Sequence, residues 1–415
     1  MWKKNTFIIV LAVLVLVLAG ELAALGHVGK REMEPAAAVS ATMAPTAVPL
    51  VVHTPEPTPV PTPEPTPEPT PEPSAVERLL EEMTFREKLC QMILARPEDI
   101  TGQEPVTVAR EATKAALEQY PVGGLIYDAS NMVTMEQVTE MLQNTQSFAK
   151  IPLFFTCDEE GGRVNRLMHT VGTTYVGPML GYQREGPRTA FSNARTIAMD
   201  MAACGFNLDL APVADVFSNP DNTVIGDRAY SDSFTEAAEL VSAAVEGFHA
   251  GGVGCTLKHF PGHGDTAEDS HAGAAYVYKT LDELRKAEFL PFAAGIAAGA
   301  DGVMVGHLVV TEVSDDPALF SYAIVTELLR EELGFEGVVM TDGLEMAAVS
   351  ENYTPGEIAV GAVKAGVDML LAPTDLDETI AALTEAVESG EISEVRIEES
   401  VMRILTMKEN LGLLE

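Results

Sequence analysis

Hydrophobic positions fall into three regimes along the chain. The first is an unbroken apolar run, Phe7–Ala19, behind Lys3 and Lys4 and followed by Gly20, Glu21 and four more apolar residues. Positive residues ahead of such a run form an export signal. The run alone suits a cleaved signal peptide, whereas reading through Glu21 gives nearly enough length for a retained membrane anchor. Either way, positive charge on the short side leaves the rest of the chain outside. The second regime, Thr54 to Pro73, has proline at every second residue, mostly as Thr-Pro-Glu-Pro. Such a segment cannot pair as helix or sheet and extends as polyproline, reaching roughly 60 Å from its anchor.

The third regime starts at Ala75, where short apolar runs alternate with segments of helical spacing. The runs predict strands at Cys90–Leu94, Gly124–Tyr127, Leu153–Cys157, Asn207–Leu210, Thr256–His259, Gly302–Val305, Gly337–Met340 and Asp368–Leu371. Helical patterns between them include Thr134–Ala149, Ser192–Ala203, Thr235–Ala250, Leu281–Ala298 and Tyr322–Leu333. Eight buried strands separated by helices predict a parallel (β/α)8 TIM-like barrel. The expected organisation is an export signal or anchor (1–26), a proline-rich linker (27–74) and a single barrel domain (75–415). Polar residues close several strands: Asp158 the third, Lys258 and His259 the fifth, His307 the sixth, Asp342 the seventh. The carboxyl ends of barrel strands converge on one pocket, so these side chains are expected to share a site.

Composition narrows the partners. A net charge of −36 over 415 residues repels phosphates and argues against nucleic acid. With the N-terminal signal, it fits an extracellular or cell-surface protein, secreted or membrane-anchored. Cys90, Cys157, Cys204 and Cys255 lie in apolar segments without metal-type spacing, and are expected to be buried free thiols.

The densest polar stretch is Lys258-His259-Phe260-Pro261-Gly262-His263-Gly264-Asp265, continuing to Asp269-Ser270-His271. One reading is a divalent metal site built from His259, His263, Asp265 and His271. The other is a metal-free acid/base loop in which Asp269 orients and charges His271. A His-x-x-x-His pair ligates together on a helix, which Pro261 and two glycines disfavour, so no metal is expected. Asp342 directly follows a strand, where it is placed either to attack an anomeric carbon or to cap the next helix. The segment Asp158–Arg166 offers carboxylate and guanidinium together, as a polyol site or as a surface ion-pair cluster. Arg228, in Ile225–Tyr230, is a similar and weaker signal.

Together these segments resemble the family 3 glycoside hydrolases, and within them the NagZ-type bacterial β-N-acetylglucosaminidases. The resemblance covers roughly Ser74 to Glu415, and the Lys-His-Phe-Pro-Gly-His-Gly stretch with its downstream Asp-Ser-His is its most specific part. It implies a retaining mechanism with Asp342 as nucleophile and His271, paired with Asp269, as acid/base. Asp158, Arg166, Arg228, Lys258 and His259 would hold the sugar, with His263 shaping the same loop; no cofactor is implied. The implied substrates are terminal β-linked N-acetylglucosamine residues of amino-sugar oligosaccharides or muropeptides.

Glu159 stands where the family commonly has Gln, which is expected to add negative charge to the sugar site. No second α/β domain follows the barrel, as expected of the acetylglucosaminidase branch. A phosphorylase or β-glucosidase of the same family, a non-catalytic wall-binding module and a metal-dependent hydrolase remain competing readings.

Overall fold

The computed structural model describes residues 73–266, 273 and 275–414. The apolar N-terminal run, all but the end of the proline-rich segment, Asp269 and His271 lie outside the described residues. Among the described residues no helix is long and apolar enough to cross a membrane.

Ten short strands follow in chain order: β1 Ile93–Ala95, β2 Gly124–Ile126, β3 Phe154–Cys157, β4 Leu208–Asp209, β5 Gly254–Phe260, β6 Ala275–Val277, β7 Gly302–Val305, β8 Leu308–Val310, β9 Val338–Thr341 and β10 Leu370–Leu371. Eight of them form one parallel sheet in the order β10-β1-β2-β3-β4-β5-β7-β9. A parallel bridge between Met340 and Met369 brings the two ends together, so the sheet closes into the expected barrel. Its strands are buried on both faces, as strands wrapped by helices must be. The remaining pair, β6 and β8, forms a separate two-stranded ribbon. All four cysteines are buried and unpaired, as expected.

Three elements differ from expectation, each for a local reason. Cys90 and Gln91 end a helix, Phe85–Gln91, so β1 starts only at Ile93. The helix is set by Thr84, which accepts the Glu87 N–H while the Glu87 carboxylate accepts the Thr84 N–H. That reciprocal cap outweighs an apolar run which fits helix and strand equally well. The pattern over Leu281–Ala298 splits into Leu281–Lys286 and Phe289–Ala297. A proline is tolerated in a helix's first turn but not in its interior, and Pro291 lies in the first turn of the second piece. Ala323–Glu332 winds as a π-helix, with wider turns than the helical spacing implied.

Candidate active site

The carboxyl ends of the strands surround a pocket of about 420 Å³. Its lining includes Asp158, Arg166, Arg228, Lys258, His259 and Asp342, so six residues singled out from scattered segments converge in space. Arg96, Asp128, Glu160, Arg163 and Glu345 join them.

Most of these charges are tied into one alternating chain. Asp128 accepts from Arg166 at 3.2 Å, and Arg166 reaches Asp158 at 3.2 Å. Lys258 bridges Asp158 at 2.7 Å and Glu160 at 2.6 Å. Arg228 then grips both oxygens of Glu160, at 2.7 and 2.8 Å. Three carboxylates thus alternate with three cations, and the chain is neutral as a whole. Neutrality is what permits burial: Lys258 and Glu160 are almost wholly enclosed, where a lone charge is strongly disfavoured. Burial works to raise the Glu160 pKa, but Arg228 and Lys258 outweigh it and hold the carboxyl far below its usual range. Burial likewise works to lower Lys258, and Asp158 and Glu160 outweigh it and keep the ammonium charged.

Asp342 stands apart from this chain. It follows β9 directly, with its N–H donating to the Val305 carbonyl at 3.0 Å, and its Oδ1 accepts the Gly343 N–H at 2.8 Å. Among the described residues it forms no ion pair with Lys or Arg. Burial tends to raise its pKa, yet His259, His307, the Gly343 N–H and Lys258 together hold it below the ordinary carboxylate value. The result is an ionised carboxylate facing a pocket with its charge uncommitted, which is what a nucleophile requires.

His259 is held by a buried acid. Its Nδ1 lies 2.7 Å from Asp215 Oδ2, which also accepts the His259 N–H, while Asp215 Oδ1 accepts the His263 N–H at 2.6 Å. A carboxylate at Nδ1 fixes a proton there and leaves Nε2 as the ring's second polar atom. His263 is buried behind His259, ring edge to ring face at 6.0 Å, with Nδ1 at 2.8 Å from the Thr266 hydroxyl. It is not part of the pocket lining.

Asp265 turns to Ser218 and Lys279 instead of joining these histidines. The glycines of this loop serve different needs. Gly262 adopts φ of +128°, whereas at Gly264 a Cβ would stand 1.7 Å from the Val216 carbonyl oxygen, which no side chain permits.

Glu159 corrects an expectation. Its side chain turns away from the pocket and accepts the N–H groups of Arg166, Leu167 and Met168 at 2.5, 2.8 and 3.0 Å, capping the turn Leu167–Thr170. Negative charge at this position therefore does not enter the pocket.

The sequence profile of the glycosyl hydrolase family 3 N-terminal domain matches residues 84–407. The chain belongs to glycosyl hydrolase family 3. Beta-hexosaminidase A of Pseudoalteromonas piscicida is 36% identical over 325 residues, covering 71% of this chain and 54% of that protein. A beta-hexosaminidase of Xylella fastidiosa is 39% identical over 240 residues, covering 56% of this chain and 70% of the relative. Among solved structures, a family 3 β-N-acetylglucosaminidase from Paenibacillus sp. str. FPU-7 superposes with a TM-score of 0.75 at 38% identity, covering 80% of this chain and 63% of that one. The family 3 chain thus spans about half the length of its Pseudoalteromonas relative.

Several residues around this family 3 site escaped the sequence reading, among them Asp128, which directly follows the second predicted strand, Glu160 and Asp215. Glu160 could have been found, because residues two apart beyond a strand share a face, which places it with Asp158. Asp215, alone within the apolar stretch Leu210–Val216, carried the weaker signal of an acid that must be buried.

Proposed function

We propose that this family 3 protein is a retaining exo-β-N-acetylglucosaminidase. The chemistry rests on one observation, the uncommitted carboxylate of Asp342 beside a neutral, preorganised set of sugar-binding charges. The amino-sugar preference rests on the relatives named beta-hexosaminidase and β-N-acetylglucosaminidase.

In the first step an Asp342 oxygen attacks the anomeric carbon and the bond to the leaving oxygen breaks. That oxygen takes a proton from His271, the residue that matches the family's acid/base, with Asp269 stabilising the imidazolium. In the second step His271 accepts a proton from water, the water oxygen attacks the anomeric carbon, and Asp342 is released. Lys258, Arg166 and Arg228 donate to sugar hydroxyls while Asp158 and Asp128 accept from them. The Asp215–His259 pair adds a fixed Nε2 to this set. A free imidazole is half protonated near ~6.5, so one ring can donate in the first step and accept in the second near neutral pH.

The export signal and stalk read from the sequence extend the proposal to a wall-facing enzyme, secreted or tethered, acting on peptidoglycan fragments. The test is hydrolysis of nitrophenyl β-N-acetylglucosaminide beside the β-glucoside, with and without phosphate. Preference for the acetamido sugar, with free sugar released at the same rate in both buffers, is expected. A sugar 1-phosphate product would replace the hydrolase with a phosphorylase. Binding without cleavage of either glycoside would leave a wall-binding module.

A further inference from the structure

The opposite end of the same strands carries a cluster that the proposed chemistry does not use. Cys255 is the second residue of β5, about 13 Å along the strand from His259. Asp301 immediately precedes β7, and His249 stands in the last turn of the helix Phe234–Gly251. His249 Nε2 lies 2.8 Å from Asp301 Oδ2 and 3.9 Å from Cys255 Sγ, and the three donor atoms lie within 4.8 Å of one another. Asp301 Oδ2 also accepts the backbone N–H of Cys255 at 2.9 Å, which holds the carboxylate against the start of β5.

We infer that His249, Cys255 and Asp301 form a three-ligand site for a divalent zinc-like ion at the amino-terminal floor of the barrel. A tetrahedral zinc with one nitrogen, one sulfur and one oxygen ligand sets its donors roughly 3.3 to 3.6 Å apart. The present spacings bracket that range. The His–Asp contact opens by about half an ångström and the sulfur closes by a few tenths, a change that rotation of the exposed His249 side chain supplies. Charge favours the same occupant. One thiolate and one carboxylate neutralise a dication, so the filled site carries no net charge into a part of the fold where Cys255 is wholly enclosed. Asp301 also lines a surface depression of about 380 Å³, which gives an ion a path to the carboxylate. A mere ion pair of His249 with Asp301 needs no sulfur beside it. The thiol makes the donor set one that prefers zinc or cobalt over magnesium or calcium. The ion would pin a helix end to two neighbouring strands, at the face of a barrel that serves stability and not turnover.

The full chain, stripped with a chelator and kept reduced without added thiol, is titrated with zinc and, separately, with cobalt. About one equivalent is expected to bind, with a Tm rise of a few degrees and a thiolate-to-cobalt charge-transfer band in the near ultraviolet. Cys255→Ser removes the band. His249→Gln, at an exposed position that the core does not depend on, weakens binding at least about tenfold while glycoside turnover stays unchanged. Absence of stoichiometric uptake overturns the inference. So does uptake that survives His249→Gln undiminished, or a cobalt spectrum without the thiolate band.

Discussion

The two ends of the barrel strands both bury charge, and they treat it in opposite ways. At the mouth, three anions and three cations alternate in a neutral chain, and one further carboxylate, Asp342, is left ionised and facing the pocket. At the floor, Asp368 is saturated. Its oxygens accept the Val339 N–H at 3.0 Å, the Ser400 hydroxyl at 2.8 Å, and guanidinium contacts from Arg330, Arg396 and Arg403. Arg330 and Arg396 also donate to the backbone carbonyls of Phe335, Gly337 and Val367. Both oxygens of Asp368 are thus spent on holding helices to strands. The mouth spends its ion pairs on orienting side chains that a ligand can still reach. Burial alone therefore does not mark a functional charge; an ionised group kept without a permanent partner does.

The largest expected effect breaks the mouth alone. Asp342→Ala should lower kcat on the order of 10⁴-fold while the thermal unfolding curve stays close to wild type. An intact turnover in this variant would remove Asp342 from the chemistry. Next, each end can lose the carboxylate that holds its cations. Glu160→Ala leaves Lys258 and Arg228 short of a buried partner, and Asp368→Ala does the same to three arginines. Each should cost about 3–5 kcal/mol in denaturant unfolding, because an unpaired buried charge remains. The two should then separate in kinetics: kcat/KM per folded molecule falls for Glu160→Ala and holds for Asp368→Ala. Equal kinetic losses would erase the distinction between mouth and floor.

A smaller effect tests the floor through pH. Lys408 is wholly buried, donates to Gln91 Oε1 at 2.7 Å and packs over the Phe154 ring. Burial pushes its pKa down to about 7 from 10.5. Between those values the unfolded chain holds a proton that the native state has released, so stability rises with pH across that window. The slope is at most about 1.4 kcal/mol per pH unit, and below the folded value it vanishes. Lys408→Met should flatten this slope. Unfolding free energies of both proteins, measured at intervals from neutral to mildly alkaline pH, give the difference directly. Parallel slopes would mean that Lys408 keeps its proton in the fold.

Much of the mouth was legible in the sequence because a barrel turns a local rule into a global one. Most polar residues that close an apolar strand point into the common pocket, so Asp158, Lys258, His259 and Asp342 could be placed together without knowing any contact; His307 is the exception, buried outside the lining against the Gly343 carbonyl. What the rule omits is the support behind the wall. Asp215 fixes His259 from another strand's loop, and its partner is set by packing, not by spacing. The floor was less legible still: Cys255 and Asp301 are 46 residues apart and share no motif. At β1 the strand boundary failed because a capping pair, Thr84 with Glu87, decided between helix and strand where the apolar run could not.

Glu159 gives the smallest expected effect and marks the boundary between the two kinds of buried charge. Position 159 belongs to the mouth by sequence, between Asp158 and Glu160, yet its carboxylate does a floor-like task by capping three backbone N–H groups. Alternation along the chain explains this, since successive side chains beyond β3 face opposite ways. Burial raises its pKa even against those three hydrogen bonds, so a neutral side chain loses little there. Glu159→Gln, which keeps an accepting oxygen, should leave kcat/KM within about twofold and stability within about 1 kcal/mol. Initial rates on the nitrophenyl substrate and one denaturation curve suffice to check both. A kinetic change well beyond that range, with stability unmoved, would mean that the charge at 159 is felt in the pocket after all, and the mouth would then extend one residue deeper than its lining.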